Sequence, residues 1–261
     1  MVSTEIFIDR LIGTLLTTVI RLERSRAHRI VWLLEELNLD YDIKLYHRTE
    51  SQRAPEELKK IFPLGKSPII EVDHHNGKES KKLAESGHIT NYLIKHFDTN
   101  KKLTANTEDD EESVDYFVNF SEGTLGAHLT YLIVHQVGAS KAPFFVRPVI
   151  NAFVNKMDTF YGISEVKLCI DFMEDILAKQ AKINPEELYF VGDHLTGADV
   201  MLFFNIQTLL DGKRLGDAID TADYPNMNKF LALVKNRPAY IKAEEKIQTV
   251  GKNQFAKDPI S

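Results

Sequence analysis

The chain has little cysteine. Cys169 is its one cysteine, so no intramolecular disulfide can form and a reducing compartment is the expectation. Also missing is any run near the roughly 20 apolar residues that a membrane helix needs. The first twenty residues, MVSTEIFIDRLIGTLLTTVI, contain no basic segment ahead of their apolar stretch, and Glu5, Asp9, Arg10 and Gly13 interrupt it, which argues against a cleaved signal peptide. Basic residues are not in excess. Lys and Arg number 32 against 38 Asp and Glu, a net charge of -6, and phosphate neutralisation needs the opposite sign, so nucleic acid is not an expected partner. Histidines and the cysteine are not clustered at zinc spacing, so no metal is expected. There is no internal repeat and no low-complexity tract. With 261 residues the chain has room for one large domain or two smaller ones.

The sequence does carry a readable order of elements. Residues 1–16 are an extension without clear period. TTVIRL (17–22) is rich in β-branched residues and predicts a strand. Ala27, Ile30, Val31, Leu34 and Leu37 then make one apolar helical stripe, with Ser25 in position to cap it. YDIKLY (41–46) alternates and predicts a second strand, so the three elements form a βαβ unit. A polar loop, HRTESQR, and a short helix in PEELKKI come next. SPIIEV predicts a third strand, Asn76-Gly77 a hairpin turn, and a stretch near KESKKL an antiparallel fourth. Ile89, Tyr92, Leu93, His96 and Phe97 mark another helix. The order β-α-β-α-β-β-α over 17–98 is a thioredoxin-like topology. Residues 99–111 are polar and charged and predict a linker, and 112–250 has helical period throughout, predicting an all-α domain.

Four local signals stand out. Pro68 lies at the mouth of the third strand, where a residue without a ladder donor is tolerated; in a thioredoxin-like sheet a cis bond here leaves the backbone of Ser67 free to pair with a peptide ligand. Glu85-Ser86 lies at a helix N-terminus, where N–H groups and the dipole favour a carboxylate, and the Glu85 side chain can meet an ammonium, so the pair suits an α-amino acid head group. Taken alone, such a pair is more often a plain cap. Ser25 offers a hydroxyl at the first helix N-terminus, a setting that lowers the pKa of a nearby thiol, and Arg24 and Arg26 flank it; alone, it too reads as a cap. Thr196 and Asp199 have capping-box spacing, with Leu195 and Val200 at the staple positions, which starts a buried helix.

Together these stretches, RSRAHRIVWLLEELNLDYDIKLY, ELKKIFPLGKSPIIEV, LAESGHITNYL and YFVGDHLTGADVMLF, resemble the cytosolic glutathione transferase superfamily over about residues 17–245. The similarity is greatest to fungal serine-type members whose first helix begins with Ser-Arg. The resemblance implies an α/β thioredoxin-like N-terminal domain that holds glutathione and an all-helical C-terminal domain that holds a hydrophobic electrophile. It implies Ser25 as the hydroxyl that stabilises the thiolate, Ser67 beside Pro68 for the cysteinyl backbone, Glu85 and Ser86 for the γ-glutamyl head, and Lys66, with Arg53 as a second candidate, for the glycyl carboxylate. Tyr116, Phe120, His128 and Tyr131 are candidates for the hydrophobic substrate pocket, although aromatics at helical spacing are more often core. Glutathione is implied as co-substrate, with conjugation or a peroxidase reaction as the chemistry, in a cytoplasmic homodimer serving detoxification or stress response. A non-catalytic glutathione-binding module on the same fold is the competing reading.

Overall fold

The computed structural model describes residues 16–73, 80–212 and 215–257. The Asn76-Gly77 turn and the extension before residue 16 lie outside them. The chain divides into two compact units, one of residues 1–100 with 235–261 and one of 101–234.

The first unit contains β1 (Leu16–Leu22), α1 (Ala27–Glu36), β2 (Tyr41–Tyr46), α2 (Glu57–Ile61), β3 (Ile69–Asp73), β4 (Lys81–Ala84) and α3 (Ser86–Phe97). The sheet order is β2-β1-β3-β4. β1 runs parallel to β2, with Leu22 opposite Tyr46. It runs antiparallel to β3, where Ile20 opposite Ile69 is the last pair, and β3 is antiparallel to β4. This is the thioredoxin-like arrangement that the sequence predicts. Val19, Ile20, Ile69, Ile70 and Val72 from the strands and Ile30, Leu34, Ile89 and Leu93 from the helices are fully or almost fully buried, so the apolar stripes of α1 and α3 meet the sheet.

α1 departs from a one-sided amphipathic helix: Trp32, Leu33 and Glu35 on its other side are buried too. The cover is the C-terminal helix α10 (Pro238–Lys257), which belongs to this unit although its sequence position continues the helical run. Tyr240 packs edge-on against Trp32 and His28. Arg237, just before α10, forms a two-pronged pair with Glu36 at 2.6 and 2.9 Å, and Lys242 meets Glu35 at 2.7 Å.

The second unit is helical: α4 (Glu108–Phe120), α5 (Ala127–Ser140), α6 (Arg147–Met157), α7 (Ile163–Ile183), α8 (Gly197–Leu210) and α9 (Pro225–Lys235). π-helical turns, Ser121–Gly126 and Asp158–Gly162, join α4 to α5 and α6 to α7. α4 starts earlier than the polar composition of 99–111 predicts. Thr107 accepts the Asp110 N–H at 3.1 Å, and Glu108 to Glu111 all stand in the first turn, where the helix dipole favours acidic residues. α8 opens on the predicted capping box: the Asp199 carboxylate accepts the Thr196 N–H at 2.8 Å and the Thr196 hydroxyl at 3.0 Å, and its other oxygen accepts the Phe190 N–H at 2.8 Å.

Candidate functional site

Strand directions bring the first unit's sequence signals to one edge of the sheet. β1 ends at that edge, β3 begins there, and β4, antiparallel to β3, ends there. The two helices that succeed β1 and β4 therefore start at this edge. An α-helix leaves its first N–H groups without intrahelical partners, and those groups carry the positive end of the dipole, so two such starts at one edge favour an anionic ligand.

Ser25 lies between β1 and α1 and is 7% exposed. Its Oγ accepts the Ala27 N–H at 3.3 Å, so it does serve the helix start, and it stands 3.2 Å from the Oγ of Ser67. Arg24, immediately before it, has φ 47, a left-handed conformation that turns the chain sharply from the strand into the helix. The turn is tied down by the residues that follow β2. Glu23 accepts the Arg48 N–H at 3.0 Å and faces His47 at 3.2 Å, and the Arg48 side chain donates to the Arg24 carbonyl at 3.4 Å. Burial pushes the Glu23 carboxyl up, but the Arg48 N–H, His47 and Arg24 outweigh it and hold the group below its ordinary value.

The Ser67–Pro68 peptide bond is cis. Ser67 is half-buried and Pro68 is buried. The turn before them depends on Gly65, which has φ 57 and on which an added Cβ would stand 2.7 Å from Lys59 Cγ. Pairing of Ile69 with Ala84 sets Pro68 beside Glu85 at the end of the β3–β4 ladder. Glu85 has φ 71 and ψ 120, an uncommon backbone for a residue with a side chain. Its side chain is exposed and makes no capping hydrogen bond among the described residues, while Ser86, the first residue of α3, is buried. Glu85 is thus not serving as a plain helix cap.

Ser25, Ser67, Pro68, Glu85 and Ser86 therefore gather at one edge. Lys66 adjoins them in sequence and is exposed. Arg53 is exposed in the loop after β2, where its N–H and carbonyl both bond to Thr49 and to none of the residues at that edge. The four aromatic candidates lie in the second unit in two groups. Tyr116 and Phe120 stack at 5.9 Å, with Phe172 against both. His128 and Tyr131 instead meet Tyr161, at 5.7 and 5.8 Å, and Tyr131 also lies on His135, which pairs with buried Asp158 at 2.7 Å. Phe120 is buried and Tyr116 is 53% exposed. Cys169 is buried, and burial first, then Glu165, push its thiol up to about 11, which keeps it protonated and unreactive at neutral pH.

Sequence reasoning missed Glu23, His47 and Arg48, because each is an ordinary polar residue locally. Their signal is topological: once β1 and β2 are parallel with Leu22 opposite Tyr46, residues 23 and 47–48 must be neighbours. Also missed was Glu244 of α10, which contacts His28 in the first turn of α1 and is held below its ordinary pKa, by that His28 hydrogen bond first, against the effect of burial. Nothing in the local sequence links positions 28 and 244. Among the described residues no group of three or more His, Cys, Asp and Glu is placed to hold a metal, and no helix is long and apolar enough to cross a membrane.

Comparison with known proteins bears on the family of the chain. Residues 16–95 match the family model for the glutathione S-transferase N-terminal domain, and residues 141–243 match a C-terminal domain model of the same family. The chain is 35% identical to glutathione S-transferase 1 of Saccharomyces cerevisiae over 89% of its own length and 95% of the relative's. It is 31% identical to glutathione S-transferase 3 of Schizosaccharomyces pombe, covering 87% of this chain and 86% of that one. A crystal structure of a glutathione S-transferase from Actinobacillus pleuropneumoniae is 33% identical, with a TM-score of 0.66 and coverage of 88% and 92%. A glutathione transferase homolog from Lodderomyces elongisporus, solved with two GSH per subunit, has a TM-score of 0.67 at 23% identity, covering 88% of this chain and 97% of that one.

Proposed function

Because the chain belongs to the glutathione S-transferase family, we propose that its first unit holds glutathione at the shared edge of β1, β3 and β4, and that Ser25 stabilises the thiolate. The convergence of Ser25, Ser67 and Glu85-Ser86 at that edge carries this reading. The peptide's zwitterionic γ-glutamyl head has a carboxylate for the N–H groups and the Ser86 hydroxyl at the α3 start, and an ammonium for the Glu85 carboxylate. Ser67 pairs with the cysteinyl backbone, and Lys66, or Arg53, meets the glycyl carboxylate.

The chemistry needs a thiolate. A cysteine thiol ionises near pH 8.5, and a hydroxyl donor together with the N-terminus of α1 lowers that value and raises the reactive fraction at neutral pH. The thiol proton passes to solvent. In conjugation the sulfur lone pair forms a C–S bond with an electrophilic carbon, and the leaving group departs with its electron pair. In the peroxidase variant the sulfur attacks a hydroperoxide oxygen and an alcohol leaves; a second glutathione then displaces water from the sulfenic acid to give the disulfide. Proximity supplies much of the gain in either case. An apolar electrophile would be bound by exposed ring surface such as that of Tyr116. Turnover of an aryl halide should fall by about tenfold or more in Ser25→Ala at neutral pH. An unchanged rate would move thiolate stabilisation to other groups, and product analysis separates conjugate from glutathione disulfide.

A homodimer belongs to the same reading. Val149, Phe153, Phe160 and Leu168, in α6, α7 and the π-helical turn between them, are 73, 65, 81 and 63% exposed. Monomeric proteins seldom expose large apolar patches. Sedimentation equilibrium should give the mass of two chains; the mass of one would end this part of the proposal.

A further inference from the structure

The Ser67 side chain has a place in the site separate from its backbone role. Ile20 opposite Ile69 is the last pair of the β1–β3 ladder, and Pro68, which has no N–H, cannot supply the next rung. The Ser67 hydroxyl replaces it. Its Oγ accepts the Leu22 N–H at 3.0 Å and donates to the Ile20 carbonyl at 3.2 Å. A serine hydroxyl has a single hydrogen and two lone pairs. The carbonyl of Ile20 can only accept, so the Ser67 hydrogen is committed to it. One lone pair takes Leu22, and what remains for Ser25, 3.2 Å away, is the other lone pair. Ser25 must then be the donor across that contact, while its own oxygen accepts from the Ala27 N–H. The proton order runs from Ala27 to Ser25, from Ser25 to Ser67 and from Ser67 to Ile20.

We propose that Ser67 is a positioning residue that holds the Ser25 hydroxyl hydrogen in the protonated-thiol state, so that a glutathione thiolate has to take this hydrogen from Ser67. The inference rests on the reading of Ser25 as the thiolate's partner. An anionic sulfur wins the competition, because charge-assisted hydrogen bonds are roughly twice as strong as neutral ones. Ionisation nevertheless breaks the Ser25–Ser67 bond, and the bound thiol pKa therefore lies higher than Ser25 alone would set it. Ser67 acts as a brake on thiolate formation while keeping Ser25 aimed and donor-ready.

The test is a pH titration of bound glutathione, followed by ultraviolet thiolate absorbance on the full chain. Ser67→Ala should lower the bound thiol pKa by about half a pH unit, the equivalent of one neutral hydrogen bond. Ser67→Thr, which keeps the hydroxyl, should restore the wild-type value. In a Ser25→Ala background the Ser67→Ala change should leave the pKa where Ser25→Ala put it. A purely structural role for Ser67 would alter stability or affinity without this pattern. An unchanged or raised pKa in Ser67→Ala overturns the proposal. Should that variant fail to fold, Ser67→Thr and Ser67→Val, alike in shape and different in the hydroxyl, make the same comparison. Absence of glutathione binding in the wild type would overturn the functional reading as well, whereas wild-type binding with a lowered thiol pKa that Ser67→Ala does not shift would overturn this inference alone.

Discussion

Glu85 holds φ 71 and ψ 120 with an exposed side chain that caps nothing among the described residues. Backbone of this kind costs of order 1–3 kcal/mol in a residue with a Cβ, and it persists where the surroundings impose it. Glycine adopts it freely. Glu85→Gly should therefore raise stability by about 1 kcal/mol in denaturant unfolding while weakening glutathione binding. Loss of stability would mean the side chain serves the fold. At this scale the placement of Ser25 and of Glu85-Ser86 at helix starts was legible, because the apolar stripes that follow them lie in the local sequence. The positive φ of Glu85 and the acceptor role of the Ser67 hydroxyl were not. Both depend on where the β1–β3 and β3–β4 ladders end, and ladder ends are set by pairing between distant segments.

The capping box of α8 was legible as an element, down to its two residues, since its signal lies within four positions. Its third partner, the Phe190 N–H, lies outside the motif. Asp199 is fully buried, and burial raises its carboxyl from 3.8 to about 6 despite the hydrogen bonds from Phe190 and Thr196, which pull the other way. Asp199→Ala would leave those N–H groups buried without an acceptor and should cost about 3 kcal/mol. The pH dependence has a definite sign. A raised carboxyl pKa means that the folded state holds the proton more tightly than the unfolded chain. The associated stability is fully present below pH 3.8 and is lost as pH rises through about 6. The gap between wild type and Asp199→Ala, followed by thermal unfolding, should narrow over that window; a gap that widens contradicts the assignment. α1 was legible in its sheet-facing stripe alone. Trp32 and Glu35 show why: their burial comes from α10, and periodicity within one helix does not name the helix that will cover its other side.

Over the whole molecule, the order β-α-β-α-β-β-α and the helical character of residues 112–250 came from period and turn signals. The return of α10 to the first unit did not, because its contacts with α1 join positions about two hundred residues apart, such as Lys242 with Glu35. The proposed function turns on one ligand. A calorimetric titration of the full chain with glutathione asks this directly. The expected result is saturable binding of one glutathione per chain, weakened by about tenfold or more in Glu85→Ala through loss of a charge-assisted contact. Absence of saturable heat, or binding that Glu85→Ala leaves unchanged, would contradict the placement of glutathione at the edge shared by β1, β3 and β4.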